Sequence, residues 1–109
     1  MTTLAEMKCE QDVGRLFVLE EEEAGELLKQ LWQWRIEDDK LVKDFVFADF
    51  VGGLAFANKV TKIAEQEKYF PKFNMEQGKV TVTLFTESVG GLIKNDFIMA
   101  AKIDGMAKK

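Results

Sequence analysis

The 109-residue chain contains no histidine, one cysteine, one proline and one tyrosine. Without histidine it lacks the side chain that most often transfers protons near neutral pH. A single cysteine, Cys9, cannot form an internal disulfide, and a zinc site would need thiolates or imidazoles that the chain does not have. We therefore expect no bound metal.

The chain also lacks a long apolar run and a cluster of basic residues. No stretch approaches the roughly 20 apolar residues that span a bilayer, and the N-terminal residues 1–15 have no continuous apolar segment of the kind found in secretory signals. We expect a cytoplasmic protein with no membrane partner. The net charge is −4, and the lysines are interleaved with acids. This pattern disfavours direct binding of nucleic acid.

The composition is typical of one soluble domain, with 47% hydrophobic and 31% charged residues. Residues 1–18 show no clean hydrophobic period, which predicts an N-terminal arm, and residues 19–109 are predicted to form the domain. A domain of this size gains apolar burial by self-association, so a homo-oligomer is expected.

The first half of the domain predicts a helix followed by a hairpin. Four glutamates, Glu20 to Glu23, stand where a helix N-terminus favours negative charge, and leucines follow at helical spacing to about Leu31. A solvated helix start explains this acidic run more simply than an acidic binding site does. Two strands, 33–37 and 40–47, are predicted around a turn at Asp38 and Asp39.

The second half repeats this order. Asp49 is a candidate N-cap for a long helix that ends near Gln66, and Gly52 and Gly53 in its first turn predict close packing against another element. Strands are predicted at 72–75 and 79–85, with Gln77 and Gly78 as the hairpin, and a last helix from about Lys94. The order predicts an α+β fold in which three helices cover one face of a four-stranded antiparallel sheet.

Residues at ordered positions from Leu27 onward resemble the pterin-4a-carbinolamine dehydratase family, one of whose members is also known as a dimerisation cofactor of a homeodomain transcription factor. Taken singly these features are common, but their ordered spacing is specific. They are Trp34, "KDFVFADF" (43–50), Phe56, "AE" (64–65), "KVTVTL" (79–84), "GGL" (90–92), Asp96 and "ID" (103–104).

The resemblance implies a hydro-lyase site whose signature is only partly present. The family has an acidic or basic residue, then His-His-Pro, a downstream aromatic residue, a third histidine and an aspartate. Glu65, Pro71 and Asp96 match this signature. The histidine pair is replaced by Tyr69 and Phe70, the aromatic residue by Gln77 and the third histidine by Glu87.

Because these substitutions remove the family's proton-transfer groups, we expect an inactive protein that binds or assembles other proteins, similar to the RuBisCO assembly factor branch of the family. The resemblance also implies a homo-dimer or tetramer. Candidate pocket or interface residues are Tyr69, Phe70, Pro71 and Phe73, where a protein client would dock or a pterin would stack.

The alternative is a divergent 4a-hydroxytetrahydrobiopterin dehydratase in tetrahydropterin recycling. In that hypothesis the catalytic candidates Glu65, Glu87 and Asp96 form an acidic cluster in which one carboxyl pKa rises toward neutrality. Glu87 as a solvated loop acid is the simpler interpretation. No cofactor is expected apart from a possible pterin ligand.

Overall fold

The computed structural model describes residues 4–9, 18–31, 33–86 and 90–107. After a short 3-10 turn at Leu4–Glu6, the described chain follows the predicted order of helix, two strands, helix, two strands and helix. The elements are α1 (Glu21–Leu28), β1 (Arg35–Glu37), β2 (Lys40–Val46), α2 (Phe50–Glu67), β3 (Lys72–Glu76), β4 (Lys79–Leu84) and α3 (Lys94–Ala107).

The four strands form one antiparallel sheet in the order β1-β2-β4-β3. In the central pair, Leu41 lies opposite Leu84 and Phe45 opposite Val80. These side chains are buried and belong to one core cluster with side chains of α2 and α3. The predicted α+β class and the antiparallel four-stranded sheet with its helices are confirmed.

The predicted hairpin and helix start are also confirmed. Asp38 and Asp39 both have positive φ, 50° and 60°, as a two-residue turn of the type that matches strand twist requires. Asp49 caps α2 by accepting a hydrogen bond from the Gly52 N–H at 2.8 Å. A Cβ on Gly53 would lie 3.1 Å from Cγ2 of Val80, so the first turn of α2 packs tightly against β4.

Several element ends differ from the predicted ones. β3 ends at Glu76 and β4 at Leu84, each one residue from its predicted end. α1 ends at Leu28, before the predicted Leu31, because the next residues form tighter turns in which the Leu31 N–H donates to the Leu28 carbonyl. β1 begins at Arg35 because Gln33 has a φ of 63°, which an extended strand does not allow. β2 ends at Val46, since the Phe47 N–H donates to the carbonyl of Gly78 beyond the ladder.

A buried ion pair joins the sheet to α3. Lys43 occupies an inward position of β2, and its Nζ lies 2.7 Å from Oδ1 of Asp104 on α3. The same carboxylate oxygen accepts a hydrogen bond from Nε1 of Trp34 at 2.9 Å, and the lysine Nζ lies 4.7 Å from the centre of the Phe45 ring. Three features of the family resemblance, Trp34, the "KDF" strand and the "ID" pair, therefore meet in one polar contact within the core.

Replacing Asp104 by alanine is expected to lower the free energy of unfolding by about 3 to 5 kcal/mol, because it removes the carboxylate from a buried lysine and from the Trp34 indole. Urea denaturation measures this loss. The matched control is Glu37→Ala, which breaks the exposed contact with Arg35 and should cost less than about 1 kcal/mol. Equal losses in the two variants would contradict a structural role for the buried pair.

Candidate functional site

The corner after α2 places two aromatic side chains in opposite environments. The helix ends at Lys68 in the left-handed conformation, with φ 56°, and the Tyr69 N–H donates to the Ala64 carbonyl. Pro71 follows Phe70 and is the last residue before β3. A proline is common just beyond a helix end. Tyr69 packs partly buried against the core, whereas Phe70 is 67% exposed.

Tyr69 points at a buried carboxylate. Its hydroxyl donates a hydrogen bond to Oδ1 of Asp96, the third residue of α3. The Thr86 hydroxyl lies 3.1 Å and 3.2 Å from the two carboxylate oxygens, and the Ile93 N–H donates to Oδ2 at 2.8 Å. Asp96 has no solvent-accessible surface, so its carboxylate is surrounded by protein donors.

The bond from Ile93 gives Asp96 a structural role in addition to any chemical one. Ile93 precedes the first residue of α3, so its N–H is one of the amide groups that a helix start leaves without an intrahelical partner. A side chain at the third helical position that accepts this N–H is the returning half of a capping box. The Asp96 carboxylate therefore holds two groups in place, the start of α3 and the Tyr69 hydroxyl.

Burial controls the protonation of both groups. It raises the pKa of Asp96 above its ordinary value, although hydrogen bonds from Tyr69, Ile93 and Thr86 oppose the rise. Burial, and then the negative charge of Asp96, raise the pKa of Tyr69 well above its ordinary value of 10.0. Tyr69 consequently keeps its proton at neutral pH and serves as a hydrogen-bond donor, not as a base.

The other predicted site residues lie apart from this network. Glu65 is exposed on α2, and within the described ranges its side chain makes no hydrogen bond or ion pair. Glu87 lies outside the described residues. Pro71 and Phe73 are partly buried, and Phe73 packs on the core. The acidic cluster of Glu65, Glu87 and Asp96 stays a prediction.

An unpredicted contact borders the site. The N-terminal segment 4–9 packs on α3 with Leu4 and Cys9 buried. The Cys9 N–H donates to Oε1 of Glu67 at 2.7 Å, and its thiol lies 3.8 Å from the Asn95 carbonyl. Burial, and then the charge of Glu67, raise the pKa of Cys9 to about 12, so this thiol is a poor nucleophile. The division of the chain at residue 18 stays a prediction.

Neither a metal centre nor a membrane span appears in the described parts of the chain. Their Cys, Asp and Glu side chains form no group of three or more that could hold a metal ion. None of their helices combines the length and apolar character needed to cross a membrane. The candidate site therefore consists of Tyr69, Thr86 and Asp96, with Phe70 exposed beside it.

The raised pKa of Asp96 predicts a pH dependence of stability. Because the folded state holds the Asp96 proton more tightly than the unfolded chain, this contribution is fully present below the ordinary pKa of 3.8 and is lost as pH rises through the folded pKa. Measured by urea denaturation across pH, the wild type should lose stability relative to Asp96→Asn in that window. The exposed Glu22→Gln variant controls for removal of one carboxyl group; a constant difference between wild type and Asp96→Asn would contradict the assignment.

Comparison with known proteins identifies the fold and its family. Residues 18–106 match the family model described as pterin 4 alpha carbinolamine dehydratase. A curated relative from Rickettsia canadensis (strain McKiel), whose name provisionally assigns it as a pterin-4-alpha-carbinolamine dehydratase, is 42% identical over 106 residues. The alignment covers 95% of this chain and 97% of that protein.

Two solved structures share the architecture. A transcriptional coactivator/pterin dehydratase from Brucella melitensis superposes with a TM-score of 0.78 at 30% identity, covering 83% of this chain and 98% of the other. A pterin dehydratase-like protein described as a RuBisCO assembly factor in the alpha-carboxysome superposes with a TM-score of 0.56 at 23% identity, covering 71% of this chain and 89% of the other. This likeness shows the fold alone. By sequence and architecture together, the chain belongs to the pterin 4 alpha carbinolamine dehydratase family.

Proposed function

We propose that the protein uses the dehydratase fold to bind or assemble other proteins and does not accelerate pterin dehydration. The observation that carries the proposal is the hydrogen bond from Tyr69 to the buried Asp96. In the family's signature, Tyr69 stands at the first position of the histidine pair. Here the Tyr69 hydroxyl donates a hydrogen bond to Asp96. The same carboxylate also accepts hydrogen bonds from Thr86 and from the Ile93 N–H at the start of α3.

The chemistry of dehydration supports this proposal. One proton must reach the departing hydroxyl group of the carbinolamine while another leaves a ring nitrogen. Each well-placed acid or base contributes roughly a hundred- to ten-thousand-fold to such a reaction when its pKa lies near the working pH. Tyr69 titrates far above that range, and the phenyl ring of Phe70 transfers no proton.

The exposed corner supports a binding role. Phe70 presents most of its ring to solvent next to the partly buried Tyr69, and aromatic side chains are enriched at protein interfaces. The Brucella melitensis protein is described as a coactivator as well as a dehydratase, and the assembly factor uses a related fold for another task. Both descriptions belong to those proteins, and they are compatible with a protein client for this one.

Self-association is part of the same proposal. Val46, Phe50, Val51 and Leu54 are exposed at the end of β2 and along the first half of α2. Burying such side chains between two copies would add apolar burial that a 109-residue domain lacks on its own. A homo-dimer or tetramer is therefore proposed as the working form.

A second candidate function is a divergent 4a-hydroxytetrahydrobiopterin dehydratase that uses carboxylates. It is favoured by the name of the Rickettsia relative and by the raised pKa of Asp96, since a raised pKa brings a carboxyl group closer to the range in which it can act as a general acid. Glu65 and Glu87 would supply the remaining proton transfers in this mechanism.

Stopped-flow dehydration of freshly generated 4a-hydroxytetrahydropterin separates the two candidates. We expect no acceleration above the spontaneous rate for the wild type, because neither Tyr69 nor Phe70 transfers a proton at neutral pH. A family dehydratase that retains its histidines serves as the positive control for the assay. Acceleration by the wild type that is lost in both Asp96→Asn and Glu87→Ala would establish carboxylate catalysis and contradict the proposal.

A further inference from the structure

A cleft lies where four parts of the chain meet on the side of β1. Its volume is about 430 Å³, within the range of pockets that hold ligands. The walls come from the residues before α1, the first turns of α1, the hairpin between β1 and β2, and the loop before α3. The lining residues are Val18, Leu19, Glu21, Ala24, Ile36, Asp39, Gly90, Gly91 and Leu92.

The wall between α1 and the loop before α3 is held by specific contacts. The Leu19 N–H donates to the Leu92 carbonyl at 2.8 Å. Gly91 approaches Val18 so closely that a Cβ would lie 2.6 Å from Cγ1 of that valine. Gly91 also pairs with Thr86, which hydrogen-bonds to Asp96. The cleft is therefore a defined feature of the fold.

The lining of the cleft combines apolar and acidic groups. Val18 and Ile36 are apolar residues of the lining that remain 44% and 38% exposed. Among the described residues of the lining, Glu21 and Asp39 are the charged ones.

Acidic neighbours extend the negative charge on both sides of the cleft. They are Glu20, Glu22 and Glu23 beside α1, and Glu37 and Asp38 in the hairpin, and all of them are exposed. Among contacts between described residues, Glu37 is the one of these neighbours that pairs with a basic side chain, that of Arg35. A helix start explains the acids of α1 when they are taken alone. The two-residue turn explains Asp38 and Asp39, whose positive φ aspartate tolerates. The cleft is where these two acidic segments meet, with Glu21 and Asp39 in one lining.

We propose that this acid-rimmed cleft binds a peptide segment of a partner protein that carries an arginine or lysine beside an apolar side chain. The apolar neighbour packs on Val18 and Ile36, while the cationic group lies between Glu21 and Asp39. Charge-assisted hydrogen bonds to two carboxylates favour arginine, whose planar guanidinium binds such groups bidentately. The proposal rests on the proposed protein-binding function but uses a surface other than the Phe70 corner.

The test is retention of a synthetic peptide library in which one position is fixed in turn as arginine, lysine, glutamine or glutamate. The wild-type protein should retain the arginine and lysine pools above the glutamine pool, most strongly where an apolar residue adjoins, and added salt should weaken the retention. If the protein retains the arginine and lysine pools no better than the glutamine pool, the inference is overturned.

Matched variants locate the site. Glu21→Gln with Asp39→Asn removes both lining charges; asparagine tolerates the left-handed backbone at position 39, where φ is 60°. We expect this variant to lose about tenfold or more in affinity for the selected peptide. The control, Glu26→Gln with Glu76→Gln, removes two exposed acids that belong neither to the lining nor to its acidic neighbours. It should lose much less, and an equal loss in the two double variants would assign binding to overall charge and overturn the inference.

Failure of this inference and failure of the proposed function give different results. If the basic pools are not preferred and dehydration is not accelerated, the cleft proposal falls and the proposed function stands. If dehydration is accelerated while the cleft variant still loses the peptide, the proposed function falls and the cleft remains a peptide site.

Discussion

The hydrogen bonds to the buried carboxylate of Asp96 hold together the end of α2, the end of β4 and the start of α3. A carboxylate without solvent contact is stable only when protein groups hydrogen-bond to it, and here the donors come from three places. Tyr69 follows α2, Thr86 follows β4, and the Ile93 N–H begins α3. These bonds fix the relative positions of two helices and a strand, and they turn Tyr69 inward while Phe70 remains exposed.

The same contact relates the structure to the family's chemistry. Family membership and the match at Asp96 imply a dehydratase site, and in the described part of the chain the groups around Asp96 hold its carboxylate in place by hydrogen bonds. The proline corner is retained, with the side chain at the first histidine position acting as a hydrogen-bond donor to the core. Under the proposed function, such a replacement preserves the fold without the reaction, since one fold can serve several functions.

The sequence predicted those features that depend on local pattern. The order of elements, the Asp38–Asp39 turn and the Asp49 cap follow from short-range spacing and backbone preference. Lys43 is a charged residue at a buried strand position, and its partner Asp104 lies 61 residues away, beyond the reach of local pattern. The contact of Tyr69 with Asp96 spans 27 residues and depends on tertiary packing. Glu67 falls on the buried stripe of Val60 and Ala64, a signal that would have marked it as a buried acid.

Tyr69 is the only tyrosine in the chain, so ultraviolet titration of tyrosinate reports directly on its contact with Asp96. We expect that no tyrosinate forms near the ordinary pKa of 10.0 and that the signal appears only when alkaline pH unfolds the protein, as followed in parallel by circular dichroism. The Asp96→Asn variant, which removes the neighbouring negative charge, should titrate at lower pH than the wild type if it still folds. A reversible transition near 10 in the folded wild type would contradict the account, because it would show that the Tyr69 hydroxyl is open to solvent and not bound to a buried carboxylate.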